Sequence, residues 1–142
     1  MTSAVHWVGT WATAPAPAEG AALSNQTLRM NARISIGGDT LRVRLSNAYG
    51  VGPLTIGAAH LGLRDSGPGI VGSSDRVLTF GGATSATIAA GSLLLSDPVQ
   101  LSVAPSSDLV VTSGCPRSCR QASGLPDVML GRQITFRHLA TF

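Results

Sequence analysis

Between residues 26 and 36 apolar and polar positions alternate one for one. Leu28, Met30, Ala32, Ile34 and Ile36 fall on one side, and Arg29, Asn31, Arg33 and Ser35 on the other. A period of two is that of a strand with one buried face. Gly37-Gly38-Asp39-Thr40 reads as a turn, after which Leu41, Val43 and Leu45 alternate with Arg42, Arg44 and Ser46. Together the two runs predict a β-hairpin with a short glycine-containing loop. A four-residue loop pairs Ile36 with Leu41, Ile34 with Val43 and Ala32 with Leu45, which keeps the apolar residues on one face. A three-residue loop would set Ile34 against Arg42, and a slip of one residue is costly wherever a face is buried.

Further short strands are predicted at 54–63, weakened by Gly57 and Gly62, and at 76–80, ended by Gly81-Gly82. Others are expected at 86–88, 93–95, 99–103 and 109–111, separated by Gly-, Pro- and Ser-containing turns. No segment has a helical period and no internal repeat is evident. The pattern predicts an all-β fold, a jelly-roll-like β-sandwich of about eight to ten short antiparallel strands. Near the N-terminus His6-Trp7-Val8-Gly9-Thr10-Trp11 is also strand-like. In a regular strand Trp7, Gly9 and Trp11 share one side, as a core-packing aromatic pair or as a platform for stacking sugars.

Composition narrows the function. The chain has 142 residues, 44% hydrophobic and only 12% charged. That suits one folded domain and argues against intrinsic disorder. No stretch approaches the roughly 20 apolar residues of a membrane span. Residues 1–5 are too short for a signal peptide. Ten Arg, no Lys and seven acids give a net charge of +3. The arginines form no run and are not interleaved with aromatics, so the basicity reads as GC-rich coding and no nucleic-acid partner is expected.

The candidate chemistry is sparse. Gly38-Asp39-Thr40-Leu41 resembles a Gly-Asp-Ser-Leu nucleophile block. It falls in a predicted turn, and no Asp and His three residues apart follow near the C-terminus. A nucleophilic hydroxyl needs a base, and the base an orienting partner, so no catalytic residue is assigned. His6, His60 and His138 are scattered. His60 is in phase with Leu54, Ile56 and Ala58, which would turn it inward as a hydrogen-bonded structural residue. No metal site and no cofactor are expected, because no cluster of His, Cys and carboxylates is present. Cys115 and Cys119 could close only a small local loop. In the predicted hairpin Arg33 lies opposite Arg44, with Arg42 diagonal to Arg33. Like charges placed so are unfavourable unless an acidic group or an anionic ligand offsets them.

Taken in order, several blocks resemble a known arrangement: Trp7-Val8-Gly9-Thr10-Trp11, Asn25-Gln26-Thr27-Leu28-Arg29, the run from Leu41 to Gly50, Pro53-Leu54-Thr55-Ile56-Gly57-Ala58-Ala59, the run from Asp75 to Gly82, and Ser96-Asp97-Pro98-Val99. They resemble the N-terminal β-sandwich that precedes the catalytic domain in bacterial, largely actinobacterial, secreted SGNH/GDSL-type esterases, over about residues 5–111. The resemblance implies an extracellular accessory domain of a hydrolase acting on acyl esters, of carbohydrates or lipids. Its partner would be the SGNH catalytic domain, which this chain lacks, so it would not be catalytic alone. The alternative is a freestanding carbohydrate-binding β-sandwich using Trp7, Trp11, Tyr49 or the face of Arg33, Arg42 and Arg44. A third reading is an inactive gene product. The expected division is a sandwich over 1–112 and an atypical tail over 113–142, family-like again at 129–136. The Arg-, Ser-, Pro-, Gly- and Cys-rich stretch 113–124 has the composition of a shifted reading frame, so a frameshift or truncation near residue 112 is the expectation.

Overall fold

The computed structural model describes residues 6–14, 25–67, 69–115 and 131–138, with Cys115 and 131–138 described as backbone. The described chain is all-β, with no α-helix. It is a β-sandwich built on two main antiparallel sheets and a small two-stranded one.

Sheet A places β1 (His6–Ala12) beside β11 (Gly131–His138), and β11 beside β3 (Gly38–Ser46). The far edge of β3 is shared by two strands. Its second half pairs with β8 (Leu93–Leu95) and its first half with β9 (Val99–Val103). Sheet B runs β2 (Gln26–Arg33), β10 (Asp108–Cys115), β5 (Ala59–Leu63), β6 (Arg76–Leu78). The small sheet pairs β4 (Leu54–Ile56) with β7 (Ala86–Ile88) and contributes Leu54, Ile56 and Ile88 to the core.

The core lies between the inner faces of sheets A and B. Leu41, Val43 and Leu45 from β3 and Val99, Leu101 and Val103 from β9 meet Ala32, Leu61, Leu78, Leu109 and Val111. Alternation along each strand puts the opposite residues outside: Arg42 and Arg44 on sheet A, and Arg29, Arg33 and Thr112 on sheet B.

The runs 26–36 and 38–46 therefore do not form a hairpin. β2 pairs with β10, with Arg33 opposite Asp108, whereas β3 pairs with β11, β8 and β9. Residues 34–37 make a corner at which the chain passes from one sheet to the other. Ile34 is buried there, and its N–H donates to the Ser107 carbonyl at 3.0 Å. Facing sheets bury the same alternating residues that a hairpin would, so alternation fixes a face and not a partner. The Gly38-Asp39-Thr40-Leu41 block opens β3 and is not a turn.

The strand expected at 54–63 is two strands in different sheets. Gly57 and Ala58 break the alternation and reset its phase. Leu54 and Ile56 are buried before the break, and Ala59 and Leu61 after it. His60 consequently lies on the outer face of sheet B rather than inward.

β1 also departs from regularity. Gly9 opposes Thr135, but Trp11 opposes the adjacent residue Ile134, so Thr10 is the extra residue of a β-bulge. The bulge puts Trp7 and Trp11 on opposite faces. Trp11 packs against the core, and Trp7 lies outside under Arg42. Buried Thr10 is used at the corner. Its Oγ1 accepts from the N–H groups of Ser35 and Ile36 at 3.1 and 3.0 Å and lies 3.0 Å from the Ile36 carbonyl.

Candidate functional site

The outer face of sheet B holds a recess of about 460 Å³, lined among others by Thr27, Arg29, His60, Ile70, Asp75 and Thr112. Its floor follows from register. Arg29, Thr112, His60 and Val77 lie side by side across β2, β10, β5 and β6. The next row, Thr27, Gly114 and the backbone of Ala58, is built of small residues and leaves space above the sheet.

One wall is made by the 64–75 segment, which leaves β5 and returns over the sheet. Its 3-10 turn (Gly72–Ser74) is anchored by buried Ser74. Ser74 Oγ accepts from the Leu63 N–H at 2.8 Å and donates to the Val71 carbonyl at 2.7 Å. Ile70 lies directly over Gly62. A Cβ at Gly62 would stand 2.4 Å from Ile70 Cγ2, so glycine is what lets the segment settle. Val110, paired with Gly62, is fully buried beneath this cover despite lying on the outer face.

At the rim Asp75 holds the His60 ring. Nδ1 lies 3.0 and 3.2 Å from the two carboxylate oxygens. An ionised carboxylate only accepts, so Nδ1 carries the proton. In the neutral ring Nε2 is then an acceptor left for another group. Thr112 Oγ1 is buried and has no hydrogen-bond partner among the described residues. A buried hydroxyl left without a partner costs about 1–3 kcal/mol. At the other end of the face Asp108 meets Arg33 at 3.5 Å and Arg64 at 3.9 Å.

The residues expected to share one site are distributed over both sides of the sandwich. Arg33 is on sheet B, where Asp108 is its acidic partner. Arg42 and Arg44 are on sheet A. The Arg42 guanidinium carbon lies 4.3 Å from the centre of the Trp7 ring, and its buried Nε has no hydrogen-bond partner among the described residues. Trp11 is turned to the core. Tyr49 is exposed in the loop after β3. The structure brings Trp7 and Arg42 together and separates them from Arg33 and Trp11. Thr40 is buried in sheet A and His60 belongs to sheet B, so the nucleophile-like block has no base from that histidine. Cys115 ends β10, and Cys119 lies outside the described residues. Among the described residues no group of three or more His, Cys, Asp or Glu could hold a metal ion, and no helix is long and apolar enough to cross a membrane.

The pair His60–Asp75 was not assigned from the sequence, because the 54–63 run reads as a single strand. The signal was Gly57-Ala58 followed by a histidine. A phase break there turns an apparent core position outward.

Asp97 is the most strongly tied carboxylate described. It lies between β8 and β9 and accepts from the Gly82 N–H at 2.8 Å, the Gly81 N–H at 3.0 Å and the Thr79 hydroxyl at 2.7 Å. Those bonds, the Gly82 one foremost, hold its pKa below the ordinary 3.8, and Arg42 adds an attractive charge. Gly81 and Gly82 have φ of +61° and +85°, a conformation that glycine adopts without strain.

No protein-family model matches the chain, and no curated protein matches it as a relative.

Proposed function

We propose that the chain is a non-catalytic β-sandwich module of a secreted SGNH/GDSL-type acyl-ester hydrolase, packing against the catalytic domain. The observation that carries this reading is where the resembling blocks fall. Their polar residues are the pins of the sandwich. Asn47, from the Leu41 to Gly50 block, is buried and donates its amide to the carbonyls of Gly52, Ile88 and Ala89 at 3.0, 3.0 and 3.2 Å. Ser96 Oγ accepts from the Val43 N–H at 3.0 Å, and Asp97 caps the Gly81-Gly82 turn. Thr10 fixes the corner at Ser35 and Ile36. The blocks thus specify a scaffold, not a nucleophile and base. Exposed Leu93 and Leu95 beside β3 supply an apolar strip for docking.

Two measurements test the reading. The purified chain should hydrolyse p-nitrophenyl acetate no faster than buffer. It should also bind the separately purified catalytic domain of an esterase of this architecture, with binding weakened by Leu95→Glu. Turnover abolished by Thr40→Ala, or no association with such a domain, would overturn it.

A further inference from the structure

We infer that the free edge of β8 pairs with β8 of a second copy of this chain, joining two A sheets across a two-fold axis. The inference concerns the chain by itself and stands whether or not a catalytic domain docks.

The register of β8 fixes which of its backbone groups are free. Ser96 donates its N–H to the Val43 carbonyl at 2.9 Å, and the Ser92 carbonyl accepts from the Asn47 N–H at 2.8 Å. Backbone groups of an antiparallel strand turn alternately to one side and the other. Ser92, Leu94 and Ser96 therefore face β3, and the N–H and C=O groups of Leu93 and Leu95 point away from it. Among the described residues β3 is the only strand that pairs with β8. Donors and acceptors thus stand in a row on an open edge, and the side chains beside them are leucines, 58% and 43% exposed. Sheet edges are commonly protected by lysine, proline or a bulge, and β8 has none of these.

The occupant follows from the sequence of the edge and from its charges. Ser92-Leu93-Leu94-Leu95-Ser96 reads the same in both directions. A two-fold axis sets two copies of one edge antiparallel, and here it passes through the Leu94 pair. Leu93 then faces Leu95 of the second copy, and Leu95 faces its Leu93. Each of these pairs exchanges both of its main-chain hydrogen bonds. Their side chains are all leucines on the outer face, so the pairing also removes apolar surface from water. Leu94 meets Leu94 on the inner face, where it already packs against the core. No charge opposes the match. Asp97 is the only charged residue in 90–98, and its carboxylate is held by the Gly81 and Gly82 N–H groups. Exposed Arg44, beside Leu95, would lie about 14 Å from Arg44 of the copy, beyond the roughly 8 Å screening length at physiological salt. Two edges of 3 residues bury far less than the roughly 1,200 Å² of a stable interface, so the dimer is weak and concentration-dependent.

The test is sedimentation equilibrium of the whole chain from about 10 µM to about 1 mM, with amide hydrogen exchange at both ends of that range. A reversible dimer should appear, and the Leu93 and Leu95 amides should gain protection with concentration while the Leu94 amide is protected throughout. Leu95→Pro removes an outward N–H that makes no bond among the described residues, and Leu94 before it is already extended, as a residue preceding proline prefers. This variant should stay folded and raise the dissociation constant at least about tenfold. Leu93→Lys and Leu95→Glu should each do the same by placing a charge among the leucines, and they decide the matter if the proline variant fails to fold. Combined in one chain they should recover most of the loss, because the register sets the two new, opposite charges against each other across the axis. The inference is overturned if the chain is monomeric throughout, if folded Leu95→Pro dimerises as the parent does, if the double variant does no better than the single ones, or if the Leu93 and Leu95 amides exchange alike in monomer and dimer. Docking of a catalytic domain is read by binding of that separate domain, so either reading can fail without the other.

Discussion

On the outer face of sheet A the Arg42 guanidinium lies over the Trp7 ring, 4.3 Å from its centre, and Leu93 and Leu95 stay open to solvent. On the outer face of sheet B the chain returns over its own strands, Val110 is completely buried, and Arg33, Arg64 and His60 are each matched to a carboxylate. Both sheets put arginines at alternate outer positions of a strand, so residue type does not make the difference. A covering segment does. Where 64–75 folds back over Gly62 it excludes water, and where it stops beside Thr27 and Gly114 it leaves a recess with a wall. Sheet A has no such cover among its described residues. A walled recess suits a small ligand, and an exposed apolar strip beside a cation suits a protein surface.

The largest expected effect comes from removing the anchor of the cover. Ser74→Ala leaves the Leu63 N–H without its acceptor in a partly buried position. The expected loss of stability is about 1–3 kcal/mol by urea unfolding. Amide exchange should accelerate at 62–75 while the amides of 40–46 in sheet A stay protected. Equal loosening of both sheets would show that the cover is not a separate unit and would remove the contrast between the faces.

The division of labour between the faces was only partly legible in the sequence. Alternation at 26–36 and 41–46 placed Ala32, Ile34, Leu41, Val43 and Leu45 inside correctly, although Ile36 of the same run is exposed, because burial of a strand face is a local, period-two property. Pairing is not local. Arg33 found Asp108, a partner 75 positions later, and no feature of the 26–46 run distinguishes a hairpin from a corner between two sheets. Two single-residue irregularities carried the rest. The Thr10 bulge divides Trp7 from Trp11, and the Gly57-Ala58 break sends His60 to the face where Asp75 awaits it. Neither breaks the hydrophobic pattern enough to be read in advance, since each shifts the phase by one residue. The recess was illegible for the same reason. Its lining comes from β2, β5, β10 and the 72–75 turn, which only the sheet order assembles.

A smaller effect, confined to the sheet A side, is expected in acid. The folded-state pKa of Asp97 lies below 3.8, its ordinary value. An ionised Asp97 therefore favours the folded state. That contribution is complete above the ordinary value and is lost as pH falls through the lower, folded one. Asp97→Asn keeps one acceptor oxygen but no charge. It should be less stable than the parent at pH 7, and the gap should close as pH is lowered below about 3.8. Thermal melts of both proteins between neutral and acid pH measure this. A gap that is constant with pH would mean that the turn at Gly81 and Gly82 needs the shape of the side chain and not its charge.

The smallest effect is the Trp7–Arg42 contact, and it needs a double-mutant cycle to be seen. A partly exposed cation over an indole ring contributes about 0.5–1 kcal/mol. Arg42 also holds a buried Nε with no partner among the described residues, which opposes folding. Arg42→Met keeps the stem and removes both the attraction and the orphaned donor, so the single variant should change little, in either direction. Trp7→Leu alone mixes lost ring area with the lost contact. Only the coupling between the two substitutions isolates the stacking, and it should come out at about 0.5–1 kcal/mol in urea unfolding. If the coupling is zero while Leu95→Glu still disturbs docking, the outer face of sheet A works through its leucines, and Arg42 serves Asp97 more than Trp7.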